Sequence, residues 1–237
     1  MQSLRKALSF LFLAITGPAL AAAPHEHRPE LDRIGHIIVV FLENRSFDHL
    51  YGLFPGAEGI QDSGFASIQL SAEGLQFATL PAVINNLARP GGIDSRFAAG
   101  LPNGPFRADR YVGLEEHTSD PVHRFYQEQE QIDGGKMDRF VAVSDTAALP
   151  MGYFDGSALP LFNLAREYTL ADRFFHAAFG GALLNHFWLI CACTPRYNDA
   201  PANLVAQLDA DGRMINDGAV TPDGYCRQHN RSDIRAA

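Results

Sequence analysis

Ile37-Ile38-Val39-Val40-Phe41-Leu42 is an unbroken apolar run, β-branched through its first four residues, and Glu43-Asn44-Arg45-Ser46 follows it directly. A run apolar at every position suits a strand covered on both faces, which is the habit of parallel sheets. Polar residues massed at the carboxyl end of such a strand stand where ligands bind in open α/β sheets. This stretch therefore predicts an α/β fold with a site near residue 43. A carboxylate beside a carboxamide, Glu43 with Asn44, is an all-oxygen donor set for a hard or borderline divalent cation. The simpler alternative is a Glu43–Arg45 ion pair.

Outward from this run the chain alternates helix and strand signals around long connections. Residues 52–110 are rich in Gly and Pro and read as loop over one sheet face. Within them, Ser67–Leu70 and Leu75–Leu80 flank Ala72-Glu73-Gly74 as a hairpin. Asp120-Pro121 reads as an N-cap and first helical residue. Val122, Phe125, Tyr126 and Gln129 supply that helix's stripe, and Gly134-Gly135 its end. Further helical patterns run through Met137, Phe140, Val141 and Ser144, and after Pro160 through Leu161, Leu164, Ala165 and Tyr168. Tyr168–Phe179 reads as a strand entering the turn Gly180-Gly181-Ala182. A helix striped by Leu184, Phe187, Trp188 and Cys191 follows. Strand, double-glycine turn and helix place free N–H groups at a positive dipole end, an anion site. The natural nucleophile position there is filled by Ala182, which can attack nothing. Asn185 and His186 lie in the helix's first turn, where they orient substrate or cap. His123 falls near the start of its own helix, where packing and catalysis are both open roles. Ser46 reads as a helix cap.

The 237 residues carry 46% apolar, 11% aromatic and 19% charged content, which fits a globular chain and excludes collagen-like, coiled-coil and disordered classes. With a formal charge of −8 and no basic run, a nucleic-acid partner is not expected. Walker A, G-x-G-x-x-G, H-E-x-x-H and G-x-S-x-G patterns are all lacking. Residues 1–23 read as a signal peptide: Arg5 and Lys6, an apolar stretch from Ala7 to Ile15, Pro18, then Ala19-Leu20-Ala21. Its removal takes the net charge to −10. The expected product is periplasmic or secreted, with no integral membrane contact, because the apolar stretch is too short to span a bilayer. His25-Glu26-His27 beyond it reads as a solvated arm. Cys191 and Cys193, two apart in a helical pattern, point apart and read as buried small residues without a bridge.

The order of blocks carries a resemblance. His36 through His49 resembles the opening signature of the bacterial phosphoesterase family of phospholipases C and secreted acid phosphatases. Asp120–His123 with Gly134–Phe140 resembles its second block. Met151–Asp155, Leu159–Leu161 and Phe174–His186 resemble its third. The turn leans towards the acid-phosphatase branch, Gly-Gly, nucleophile, two apolar residues, Asn-His. The resemblance implies a three-layer α/β/α, alkaline-phosphatase-like fold with a mainly parallel sheet. It also implies metal-assisted hydrolysis of phosphate esters or phospholipids through a phospho-enzyme. One divalent metal ion would sit on Glu43 and Asn44, and substrate would meet His123, Gly181, Asn185 and His186. Ala182 occupies the nucleophile position, where Ser is expected. The chain also ends before the family's later metal ligands, so it reads as an incomplete, inactive form; a non-catalytic phosphate-ester-binding protein is the alternative. Residues 24–225 read as the N-terminal part of the catalytic domain. Cys226–Ala237 reads as a frameshifted tail. One permitted back-translation of it, with its first base dropped, encodes Ala-Val-Asn-Thr-Ile-Asp-Pro-Thr after Tyr225.

Overall fold

The computed structural model describes residues 33–43, 45–60, 68–88, 90–196 and 198–216. The signal segment, the boundary at residue 225, the tail and Asn44 lie outside them. Two units divide the chain, Met1–Phe41 and Leu42–Ala237. In the first, residues 34–41 have no regular structure, and Ile38 is 87% exposed. The expected strand at Ile37–Leu42 is therefore not formed. Such a run becomes a buried strand only with ladder partners on both sides. Among the described residues the ladders are two or three residues long, and none takes it up.

The second unit is mixed α and β with small sheets. Its elements are α1 (Phe47–Tyr51), β1 (Ile84–Asn85), β2 (Gly92–Ile93), β3 (Phe106–Arg107), α2 (Phe125–Ile132), α3 (Phe140–Val143), β4 (Gly152–Tyr153), α4 (Pro160–Glu167), α5 (Ala182–Cys191), β5 (Gln207–Leu208) and β6 (Met214–Asn216). β1–β2 and β5–β6 are antiparallel, while β3 and β4 pair in parallel, Phe106 opposite Gly152. No helix among the described residues is long and apolar enough to cross a membrane.

The core comes from an unexpected place. Leu80, Val83, Phe97, Leu101, Phe106, Ala108 and Val112 pack with Val141, Ala148, Leu149 and Phe154. The Gly- and Pro-rich segment read as a surface loop thus supplies most of the buried cluster. Its backbone polar groups are met by side chains instead of long ladders. Buried Gln69 donates its amide to Met137 O, and Asn103 bridges Gln69 O and Phe77 O. The hairpin's turn forms, with a single antiparallel bridge between Leu70 and Gln76 and Gly74 at φ +79°, while its arms make no longer ladder among the described residues and Ser67 lies outside them.

The helix read from Asp120 begins five residues later, at Phe125. Asp120 N–H donates to Asn86 Oδ1 and Val122 N–H to Asp145 Oδ1. With those donors satisfied across the chain, residues 120–124 stay out of the helix. Asp133 in the left-handed region, then Gly134 and Gly135, end α2. α4 starts at Pro160 as expected but buries Phe162, 3% exposed, and leaves Leu161, Leu164 and Tyr168 outside. Tyr51 and Phe54 set that choice by packing their rings on Phe162 at 5.9 and 4.7 Å. Tyr168–Phe179 forms no strand, and Phe175 is 84% exposed. No ladder neighbour reaches it among the described residues.

α5 begins at Ala182 with Gly181 as N-cap and inserts Leu184 and Asn185. Phe187 and Cys191, expected on its inner stripe, are exposed. Cys191 and Cys193 are joined by a disulfide, against expectation. The helix ends between them: Ala192 is left-handed (φ 48°, ψ 39°), which folds the chain back and sets the two Cα atoms 5.2 Å apart.

α1 is seated by close approach. Phe154 N–H donates to His49 O at 2.8 Å, and a Cβ on Gly156 would stand 2.1 Å from Leu50 O. Backbone faces that position, so no side chain can yield. Gly156→Ala is expected to cost about 3 kcal/mol or more in urea unfolding. Gly113→Ala, whose Cβ would meet only Glu116 Oε2 at 3.5 Å, is expected to leave the transition nearly unmoved.

Candidate functional site

Ser46 caps α1, its Oγ accepting from His49 N–H at 3.2 Å, as the sequence indicates. This places Arg45, Ser46 and His49 around a cleft of 540 Å³ with Glu43, His117 and Asp120 on its walls. The His117–Asp120 wall is held by the same crosslinks that delay α2. Asn86 donates its amide to Asp120 O and Asp145 Oδ2, and Ser119 Oγ meets Asn86 N–H. A second cleft of 510 Å³ shares Ser46 and His49 and continues over Ile132, Met137, Phe140 and Met151.

Burial, then the charge of Arg45, lowers the His49 imidazole to about 4. Burial also lowers Arg45 from its ordinary value and raises the Asp48 carboxyl. The cleft thus combines a guanidinium, a hydroxyl and a neutral imidazole. The His49 ring lies edge-on to Phe154 at 5.1 Å, with the Arg45 guanidinium 6.0 Å from the same ring.

Asn185 builds the turn ahead of α5. Its Nδ2 donates to Ala178 O at 3.0 Å and to Gly180 O and Gly181 O at 3.4 Å, and its Oδ1 accepts from Ala178 N–H at 3.2 Å. Asn185 is therefore a holder of the turn. Ala182 opens the helix with no side-chain cap at Gly181, so a positive dipole end is presented there. His186 Nε2 stands 3.4 Å from Glu43 Oε2. The structure thus brings together two predicted residues separated by 143 positions. Glu43 meets His186 rather than Arg45. His123 holds Pro121 O from Nδ1 at 2.8 Å, with Asp120 Oδ1 at 3.8 Å, while its Nε2 is buried without a described partner.

Arg45, His49, His117 and Asp120 are not among the site residues read from the sequence, where Asp120 is a helix cap and Arg45 an ion-pair partner for Glu43. His49 carried a signal: three positions after a capping Ser, it falls in a helical turn beside a polar strand end. The donor set for a metal is thin. Among the described residues no three His, Cys, Asp or Glu side chains gather closely enough to hold an ion, and Glu43 is the one expected ligand placed.

A profile of the Phosphoesterase family matches residues 34–231. The chain belongs to that family. Similar proteins include "Phospholipase C A" of Mycobacterium tuberculosis, 27% identical over 74% of this chain and 32% of the relative. "Phospholipase C B" of the same organism is 25% identical over 82% and 37%. "Hemolytic phospholipase C" of Pseudomonas aeruginosa is 22% identical over 90% and 26%. The chain spans about a third of the length of the curated relatives it matches. No solved structure matches it significantly.

His49 makes stability depend on pH. Its folded value lies below the ordinary 6.5, so the unfolded chain takes the proton first. Stability is fully present above pH 6.5 and declines as pH falls towards 4. Between pH 7 and 5 this group is expected to remove about 2 kcal/mol. Urea midpoints at both pH values would show that drop, and His49→Phe would flatten it.

Proposed function

We propose that this phosphoesterase-family chain takes phosphate esters, as an acid phosphatase or phospholipase C type hydrolase by descent, and that in its present form it does not turn them over. The carrying observation is the helix start at Gly181-Ala182: anion-receiving backbone with no attacking side chain at the family's nucleophile position. In this reading the phosphoryl group meets the N–H groups of α5. His186, paired with Glu43, and His123 lie on the substrate side as further contacts. Asn185 keeps the turn in shape. Arg45 in the neighbouring cleft supplies positive charge, and the apolar cleft beside it suits the non-phosphate part of an ester or phospholipid.

Of the ligands the resemblance implies for a metal, only Glu43 lies among the described residues, and no step is assigned to the metal. The three-layer α/β/α sheet is proposed for the complete catalytic domain, of which residues 24–225 would be the N-terminal part. There Ile37–Leu42 would gain its ladder partners. Export of the chain belongs to the same proposal.

A second reading is favoured by Ala182 itself: a non-catalytic binder of phosphate esters. Calorimetry with inorganic phosphate and with a non-hydrolysable phosphonate ester separates the two. The binder should take the ester at least about tenfold more tightly than phosphate, whereas the inactive hydrolase should take both alike.

The chain is expected to release no p-nitrophenol from p-nitrophenyl phosphate, and no phosphocholine from phosphatidylcholine vesicles, above protein-free controls with Mg²⁺, Ca²⁺ or Zn²⁺. Turnover by the unmodified chain would show that Ala182 is not at a required nucleophile position. Absence of both turnover and phosphate binding would overturn the phosphate-ester reading altogether.

A further inference from the structure

Reactivity is concentrated at the other end of α5. The Cys191–Cys193 disulfide spans a sequence separation of 2. Both residues are exposed, as is Ala192 between them. A bridge closing so short a loop removes very little freedom from the unfolded chain, so it contributes little as a staple. It also coexists with a left-handed Ala192, a conformation that costs a residue bearing a Cβ. Exposure, a minimal loop and a strained intervening residue are the marks of a labile disulfide rather than a structural one.

We propose that Cys191–Cys193 is a thiol-exchange site, opened by small thiols or thiol proteins, and that its opening releases the C-terminal turn of α5. The two sulfurs are not equivalent. Cys191 is the last residue of the helix, where the dipole and free carbonyls disfavour a thiolate. Its Sγ lies 3.1 Å from Phe187 O, an acceptor ready for a thiol proton. Cys193 is beyond the helix and is the better leaving group. An incoming thiolate therefore attacks Cys191 Sγ, the S–S bond breaks, and its electron pair departs on Cys193, which takes up a proton. A second thiolate then attacks the incoming sulfur of the mixed disulfide and frees Cys191, which is protonated in turn. Two thiols are oxidised to one disulfide, and the protein's disulfide is reduced to two thiols.

The structure contains its own reporter. Trp188 is the single tryptophan of the chain. Its Nε1–H donates to Thr194 Oγ1 at 3.1 Å, and its carbonyl accepts the Ala192 N–H at 3.0 Å. Both bonds bracket the disulfide, so loosening of the turn changes the indole's surroundings.

The full chain carrying Cys226→Ser would be equilibrated in glutathione buffers at about 5 mM total thiol, then trapped with an alkylating agent and mapped by mass. Both cysteines are expected to be labelled in more than half the molecules without denaturant, with a trappable glutathione adduct on Cys191. Trp188 emission is expected to move with the labelled fraction. Thr194→Val should abolish most of that emission change while leaving the labelling midpoint within about threefold. Labelling only after unfolding would overturn the exchange site. Full labelling with unchanged emission would overturn the release of the helix end. An adduct confined to Cys193 would overturn the assigned direction of attack.

Discussion

The carbonyl of Leu50 lies against the Cα of Gly156 so closely that no other residue can occupy that position. This contact, with the Phe154 N–H to His49 O bond beside it, fastens a helix of only five residues to the chain more than a hundred positions later. α1 is too short to be stable alone. Once seated, it aims Ser46 and His49 at the cleft, rests the His49 ring on Phe154 and offers Tyr51 to Phe162. The choice of Phe162 as the buried residue of α4 follows from it. So does the desolvation that keeps His49 neutral over the ordinary pH range.

What was legible in the sequence was local. Ser46 as a cap, Pro160 at a helix start, Gly134-Gly135 at a helix end and Gly74 in a tight hairpin are each decided by one residue's own dihedral or hydrogen-bonding preference. The mixed α/β class and the helix after Gly181 belong with them. What could not be read depends on partners distant in the chain. Asp120-Pro121 has every mark of a helix start, yet Asn86 and Asp145 claim the donors and hold the segment extended. Val83 and Phe97 lie among glycines and prolines without periodicity and are buried outside any ladder, while Phe106 sits in a ladder of only two residues, too short to leave a period in the sequence. Ile37–Leu42 and Tyr168–Phe179 read as strands, but a strand is a property of neighbours as much as of its own residues.

The candidate site divides in the same manner. Glu43 and His186 were each named for chemistry, and their meeting at 3.4 Å is a fact of the fold that no spacing rule predicts. Asn185 reads from the sequence as orienting substrate or capping, and its hydrogen bonds go to Ala178, Gly180 and Gly181 in the turn ahead of the helix. A carboxamide in a helix's first turn can reach a bound ligand or the loop that precedes the helix. Here the loop takes it, so in the proposed reading the backbone N–H groups are left to meet the phosphoryl group.

α5 consequently joins two different chemistries along ten residues. At its start, a turn held by Asn185 leaves amide donors free and supplies no nucleophile. At its end, a left-handed Ala192 lets Cys191 and Cys193 meet, so the helix stops through a covalent bond rather than a glycine cap. The interior links between the ends are few: Leu184 and Asn185 are its buried residues, and both lie in the first half. The second half, with Leu189 and Ile190 exposed, is fastened mainly by Trp188 to Thr194 and by the disulfide. Loss of the sulfur bond would then loosen the helix from its C-terminal end, while the Asn185 clamp keeps the Gly180-Gly181 turn in place. The proposed thiol exchange at one end and the proposed phosphate contact at the other would thereby be separable.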